Sequence, residues 1–115
     1  MVVPEALKPN HENRGRIVIS WLDASGATKF GTELAEFFIR RIPLADVTSK
    51  NKTSMANKRA ALNEMFRQID KFKIEHRMNF YKKAKLGNAF KWMLLEAGYN
   101  SEIIDDLTKE ILLKL

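Results

Sequence analysis

The stretch "FYKKAKLGNAFKWMLLEAGY", residues 80–99, puts four lysines, the Phe80-Tyr81 pair and a Gly87-Asn88 step into a segment with helical spacing. A break at Gly87 would give two short helices. A continuous helix would leave a thin spot where another group comes close. Leu86, Phe90, Met93 and Ala97 keep one helical phase across the step, so the spacing predicts one helix from about Phe80 to Ala97. Gly98 follows the last periodic residue and is expected to end the helix in a left-handed position. In a continuous helix, Gly87 sits midway between Lys83 and Lys91. It then either exposes backbone to a phosphate or packs closely against a second helix with the lysines snorkelling around it.

Working back from this stretch, a longer helix is expected over residues 54–77, where Met55, Leu62, Met65, Ile69 and Phe72 follow a near-heptad spacing. Thr53 or Ser54 is the expected cap. "PLADVTSKNKT" (43–53) has loop chemistry, and before it "TKFGTELAEFFIRRIP" (28–43) places Phe30, Leu34, Phe37, Phe38 and Ile42 on one stripe that Pro43 ends. "RIVISWLDASG" (16–26) is ambiguous. Ile17-Val18-Ile19 is strand-like, yet Ile17, Val18, Trp21 and Leu22 share a helical face. No second convincing strand is present to satisfy its ladder, so a short helix closed by Gly26 is favoured over a strand that pairs with another copy. Working forward, Asn100 or Ser101 caps a last helix buried through Ile103, Ile104, Leu107, Ile111 and Leu115. The expectation is an all-α compact bundle of four or five helices in a single domain, residues 14–115, preceded by a flexible arm over 1–13. Its expected core is Leu34, Phe37, Phe38, Leu62, Met65, Ile69, Phe90, Met93, Leu94, Ile104, Leu107 and Ile111.

The 115 residues contain no cysteine, which removes disulfides, thiolate metal sites and a cysteine nucleophile together. Neither His11 nor His76 has ligand spacing, and no serine lies in a G-x-S-x-G context. Glu33 and Glu36, one turn apart, read as solvated helix carboxylates. The chain is therefore expected to be non-catalytic, with no cofactor and no metal. No apolar run approaches the roughly 20 residues of a spanning helix, and no signal peptide is evident, so a cytoplasmic protein without a membrane partner is expected.

Charge is what points to a partner. Residues 51–99 hold eleven Lys/Arg against four Asp/Glu, net +7, whereas the whole chain carries +6. Lys58, Arg59, Arg67, Lys71, Lys73 and Arg77 fall mostly away from the Leu62–Ile69–Phe72 stripe. The expected function is a weakly sequence-specific DNA- or RNA-binding or regulatory protein. It would grip phosphates with Arg67, Lys71, Lys82, Lys83, Lys85 and Lys91 and stack bases on Trp92. A helix-turn-helix reading centred on Gly98 fails on charge, because the second helix offers Glu102, Asp105, Asp106 and Glu110 to the groove. A ribbon-helix-helix dimer is disfavoured too, since Val18 and Leu22 make its base-reading strand face too apolar. The alternative function is a protein-interaction module or homodimeric adaptor, with an apolar patch around Phe80, Tyr81, Trp92 and Leu95.

Overall fold

The computed structural model describes residues 11–115, with side chains from residue 25 onward. In chain order these residues form α1 (His11–Arg41), α2 (Leu44–Val47), α3 (Lys52–Glu75), α4 (Phe80–Glu96) and α5 (Ser101–Lys114), with no strand among them. The fold is an all-α bundle. The first ten residues of the expected arm lie outside the described residues.

α1 corrects the reading of residues 16–42. Gly26 does not close a first helix and residues 16–23 are not a strand; one 31-residue helix runs through both segments. A glycine inside a helix costs only about 1 kcal/mol, and neither a proline nor a left-handed residue forces an exit at Gly26. The helix ends where Pro43 was expected to end it, and Pro43 then leads into the single turn of α2.

The next three helices start alike. Asn51, Asn79 and Asn100 are extended, and their side-chain oxygens accept hydrogen bonds from the N–H groups of Ser54, Lys82 and Ile103 at 2.8, 2.8 and 2.9 Å. Each bond satisfies one of the N–H groups a helix start leaves orphaned. For α3 this displaces the expected caps: Ser54 is the donor at the third helical position, not the cap. α4 passes Gly87 unbroken and ends as expected. Gly98 has φ +95°, its N–H donates to the Leu95 carbonyl, and the Tyr99 N–H donates to that of Leu94. This pair of bonds is a Schellman motif, and it turns the chain into α5.

Packing centres on α4. Gly31 of α1 lies against the α4 backbone so closely that a β-carbon there would collide with the Leu86 carbonyl oxygen and stand 3.2 Å from the Ala89 β-carbon. Ala27 and Ala35, one turn to each side of Gly31, are fully buried, so small residues let the two helices approach backbone to backbone. Thirteen residues beyond Leu86 and just past the end of α4, the buried Tyr99 hydroxyl donates to the carbonyl of Ile42, eleven residues beyond Gly31, at 2.5 Å, so α1 and α4 run in the same direction. Burial raises the Tyr99 pKa above the ordinary phenol value. On its other flank α4 meets α5, where Leu112 stands 3.2 Å from the position a Gly87 β-carbon would take. α3 closes the bundle against α1, with Phe72 stacked on Phe30 at 4.2 Å, and against α5, where the Lys73 ammonium donates to the Lys114 carbonyl at 2.9 Å. Since α1 and α5 each pack on both α3 and α4, those two helices stand at diagonal corners with no comparable interface between them.

The expected core is the core, with a gradation. Leu34, Phe38, Met65, Ile69, Phe90, Leu94, Ile104 and Ile111 are buried, while Phe37, Leu62, Met93 and Leu107 are half-buried at its edge. Leu86, Ile42, Phe72, Tyr99 and the small Ala27, Ala35 and Ala61 complete it.

Candidate functional site

Helical spacing places 82, 86, 90 and 94 of α4 on the inward side and 81, 85, 88, 92 and 95 on the outward side. The outward side is unusually apolar. Trp92 is 63 % exposed and Tyr81 51 %, Leu95 is exposed below them, and Phe80, at the first residue of the helix, is 88 % exposed. Aromatic rings of this size are normally where a chain gains most by burial, so an outward row of them is the surface feature that calls for a partner.

The lysines expected beside this row are largely committed elsewhere. Lys82 is only 4 % exposed, and its ammonium donates to the Arg77 carbonyl just past the end of α3. It faces the bundle and cannot grip an external phosphate, which corrects its placement in the site. Lys91 pairs with Asp105 of α5 at 3.4 Å. Lys85 lies over the Tyr81 ring, 5.4 Å from its centroid. Lys83 is half-buried on the flank of α4. Gly87 is buried under Leu112, so of its two readings the packing point holds and the exposed phosphate notch does not.

Arg67 and Lys71 belong to α3 and so stand on the opposite corner from Lys85 and Trp92. Seven predicted residues therefore fall into separate groups instead of one grip. Arg67 forks onto Glu64 one turn back, with bonds of 2.6 and 2.8 Å. That fork, aided by a bond from Gln68, holds the Glu64 carboxyl at about 2 and raises the Arg67 pKa. The pair was readable in the sequence as a three-residue spacing of opposite charges. Lys71 instead faces a cleft of about 420 Å³ between α1 and α3, floored by the stacked rings of Phe30, Phe72 and His76 and rimmed by Lys29, Glu33 and Glu75. Both signs of charge line this rim.

The chain matches no family model, no curated protein and no solved structure. Its surfaces are thus the whole basis for a functional reading. Among the described residues, no helix is long and apolar enough to cross a membrane.

Two features of the bundle were missed in the sequence. One is the small-residue row Ala27, Gly31 and Ala35, whose four-residue spacing was a legible sign of a close helix crossing. The other is the division of the α3 cations. Lys58 donates to the carbonyls of Val47 and Ser49 at 3.0 and 2.7 Å, holding the loop after α2, while Lys73 holds the end of α5. Lys52, Arg59, Lys71 and Arg77 have no such ties: their side chains are exposed, with no hydrogen bond or ion pair to the described residues.

Proposed function

We propose that this protein is a non-catalytic interaction module whose docking face is the outward side of α4. One observation carries the reading: Tyr81, Trp92 and Leu95 are exposed together on one face of the best-anchored helix of the bundle, with Phe80 at its start. A rigid element presenting aromatic anchors is the usual physical form of a binding hot spot.

A second copy is the simplest occupant, because the face is complementary to itself. If two α4 helices lie antiparallel about Asn88, the large Trp92 of each copy faces the small Ala84 of the other. Tyr81 of each then faces Leu95. Two-fold pairings of this kind are isologous and closed, so the product is a dimer and not a fibre. α4 is 17 residues, about 25 Å long, a smaller contact than most permanent dimers use, so association in the micromolar range is expected.

Sedimentation equilibrium over about 1–200 µM tests this. A monomer–dimer equilibrium that Trp92→Glu abolishes, with helix content and melting temperature retained, is the expected result. A monomer throughout the range would remove the self-association reading. Dimerisation untouched by Trp92→Glu would move the interface off α4.

A further inference from the structure

The cleft between α1 and α3 carries a charge pattern that folding leaves unused. Phe30 stacks on Phe72, and eleven residues further along α1 Arg41 acts on Glu64, eight residues back along α3. The two helices are therefore antiparallel. With the two rings at one level, the helical rise places Lys29 and Lys71 about 1.5 Å to either side of it, and Glu75 and Glu33 about 4.5 Å out. From the His76 end the charges thus run Glu75, Lys29, Lys71, Glu33, with one cation from each wall at the centre. All four side chains are exposed, with no hydrogen bond or ion pair to the described residues. We infer that this cleft is a binding site for a small aromatic zwitterion of the aromatic amino-acid class, separate from the α4 face and independent of its use. The ligand carboxylate sits between Lys29 and Lys71, its ammonium at Glu75 and its ring against His76.

Charge complementarity selects this occupant. Two lysines and two glutamates sum to zero, so a polyanion meets the glutamates and a polycation meets the lysines. A ligand with one charge of each sign satisfies both. The floor asks for a ring. Buried Phe72 carries the exposed His76 ring at 4.4 Å, which extends the Phe30–Phe72 column toward solvent, and aromatic rings add to such a column by offset stacking. Space for the ring lies at the same end. A β-carbon at Gly26 would meet nothing within 4 Å, so the α1 wall stands back opposite His76. At the other end the Gln68 side chain lines the cleft instead. The volume of about 420 Å³ falls low in the range of small-molecule pockets, which suits one amino acid and not a peptide helix.

The test is titration of the full chain with L-tryptophan, followed by NMR of the backbone amides and the His76 ring. A ligand of about fifteen heavy atoms at ordinary efficiency is expected to bind with a Kd of about 0.5 mM. The saturable shifts should centre on residues 26–33 and 71–76. Tryptamine, which lacks the carboxylate, and N-acetyl-L-tryptophan, which lacks the ammonium, are each expected to bind about fivefold more weakly. Lys29→Gln/Lys71→Gln should erase the difference between L-tryptophan and tryptamine. Glu75→Gln should erase the difference between L-tryptophan and N-acetyl-L-tryptophan. Lys83→Gln/Lys85→Gln on α4 should leave both differences in place. Circular dichroism checks that each variant stays helical, and the comparison of the three ligands stands on the unaltered chain if one does not. Absence of saturable shifts at the cleft up to about 10 mM overturns the inference. So does equal binding of the three ligands, shifts centred on α4, or ligand differences that survive in the cleft variants.

Discussion

α3 and α4 begin from nearly the same material and end with opposite surfaces. Both lie in the basic half of the chain, both start at an asparagine cap, and both bury one stripe of large apolar side chains. Yet the outward side of α3 is cationic and almost free of aromatics, and the outward side of α4 is aromatic with its lysines tied down. The difference comes from position in the bundle. α4 is gripped along its length by α1 and again by α5; of its lysines, Lys91 meets a carboxylate of α5, Lys85 a ring of α4 itself and Lys82 a carbonyl just past the end of α3. α3 is packed less extensively, and of its outward cations Arg67 holds Glu64 while Lys52, Arg59 and Lys71 have no hydrogen bond or ion pair to the described residues. A charge count along the chain adds these two surfaces together; a four-cornered bundle sets them on opposite sides.

The strongest challenge to this picture is at Gly31. A methyl there has no free space, so Gly31→Ala is expected to destabilise the fold by about 3 kcal/mol, the upper end of the overpacking range, or to force α1 away from α4. On α3 the exposed Ala60, replaced by Leu, should change stability by less than about 0.5 kcal/mol. Denaturant melts of the two variants measure the contrast directly. Equal effects would mean that α4 is not the element that organises the bundle.

A smaller effect is expected at the caps. Asn51→Ala and Asn79→Ala each remove one hydrogen bond to an orphan N–H and should cost about 1 kcal/mol. They should differ in what they loosen. Hydrogen exchange is expected to show Asn51→Ala confined to the first turn of α3. Asn79→Ala should also weaken the neighbouring loop, where the buried Lys82 ammonium meets the Arg77 carbonyl. Identical exchange patterns would erase the distinction drawn between the two helices.

The smallest effect is electrostatic. Arg67→Ala frees the Glu64 carboxyl, whose titration should return from about 2 to the ordinary carboxylate range, as followed by NMR. Because the carboxyl is depressed in the folded chain, its contribution to stability is present above about 4.5 and is lost as pH falls through about 2. Both groups face solvent, so little change in melting temperature at neutral pH is expected.

Periodicity along the chain was enough for the all-α class, the last three long helices and most of the core, because a stripe such as Leu86, Phe90 and Met93 can be buried only in one conformation. Punctuation was less dependable. Gly98 did end a helix, because there the chain adopts a left-handed conformation that glycine tolerates at no cost. Gly26 and Gly87 did not, because a helical glycine costs less than the packing on either side of it returns. Which neighbour receives a lysine head, which aromatic ring is left outside and which cations share a face were not legible, since each depends on residues far away in sequence. Lys82 turned inward because the Arg77 carbonyl lay within reach of it, and Gly87 closed because Leu112 came to cover it. The local hydrophobic pattern specifies which side of each helix is buried, because that choice is made within a few turns. The order of helices around the bundle assigns the remaining sides to solvent, to a partner or to each other, and that order depends on contacts such as Gly31 on Leu86, where whole backbones must fit.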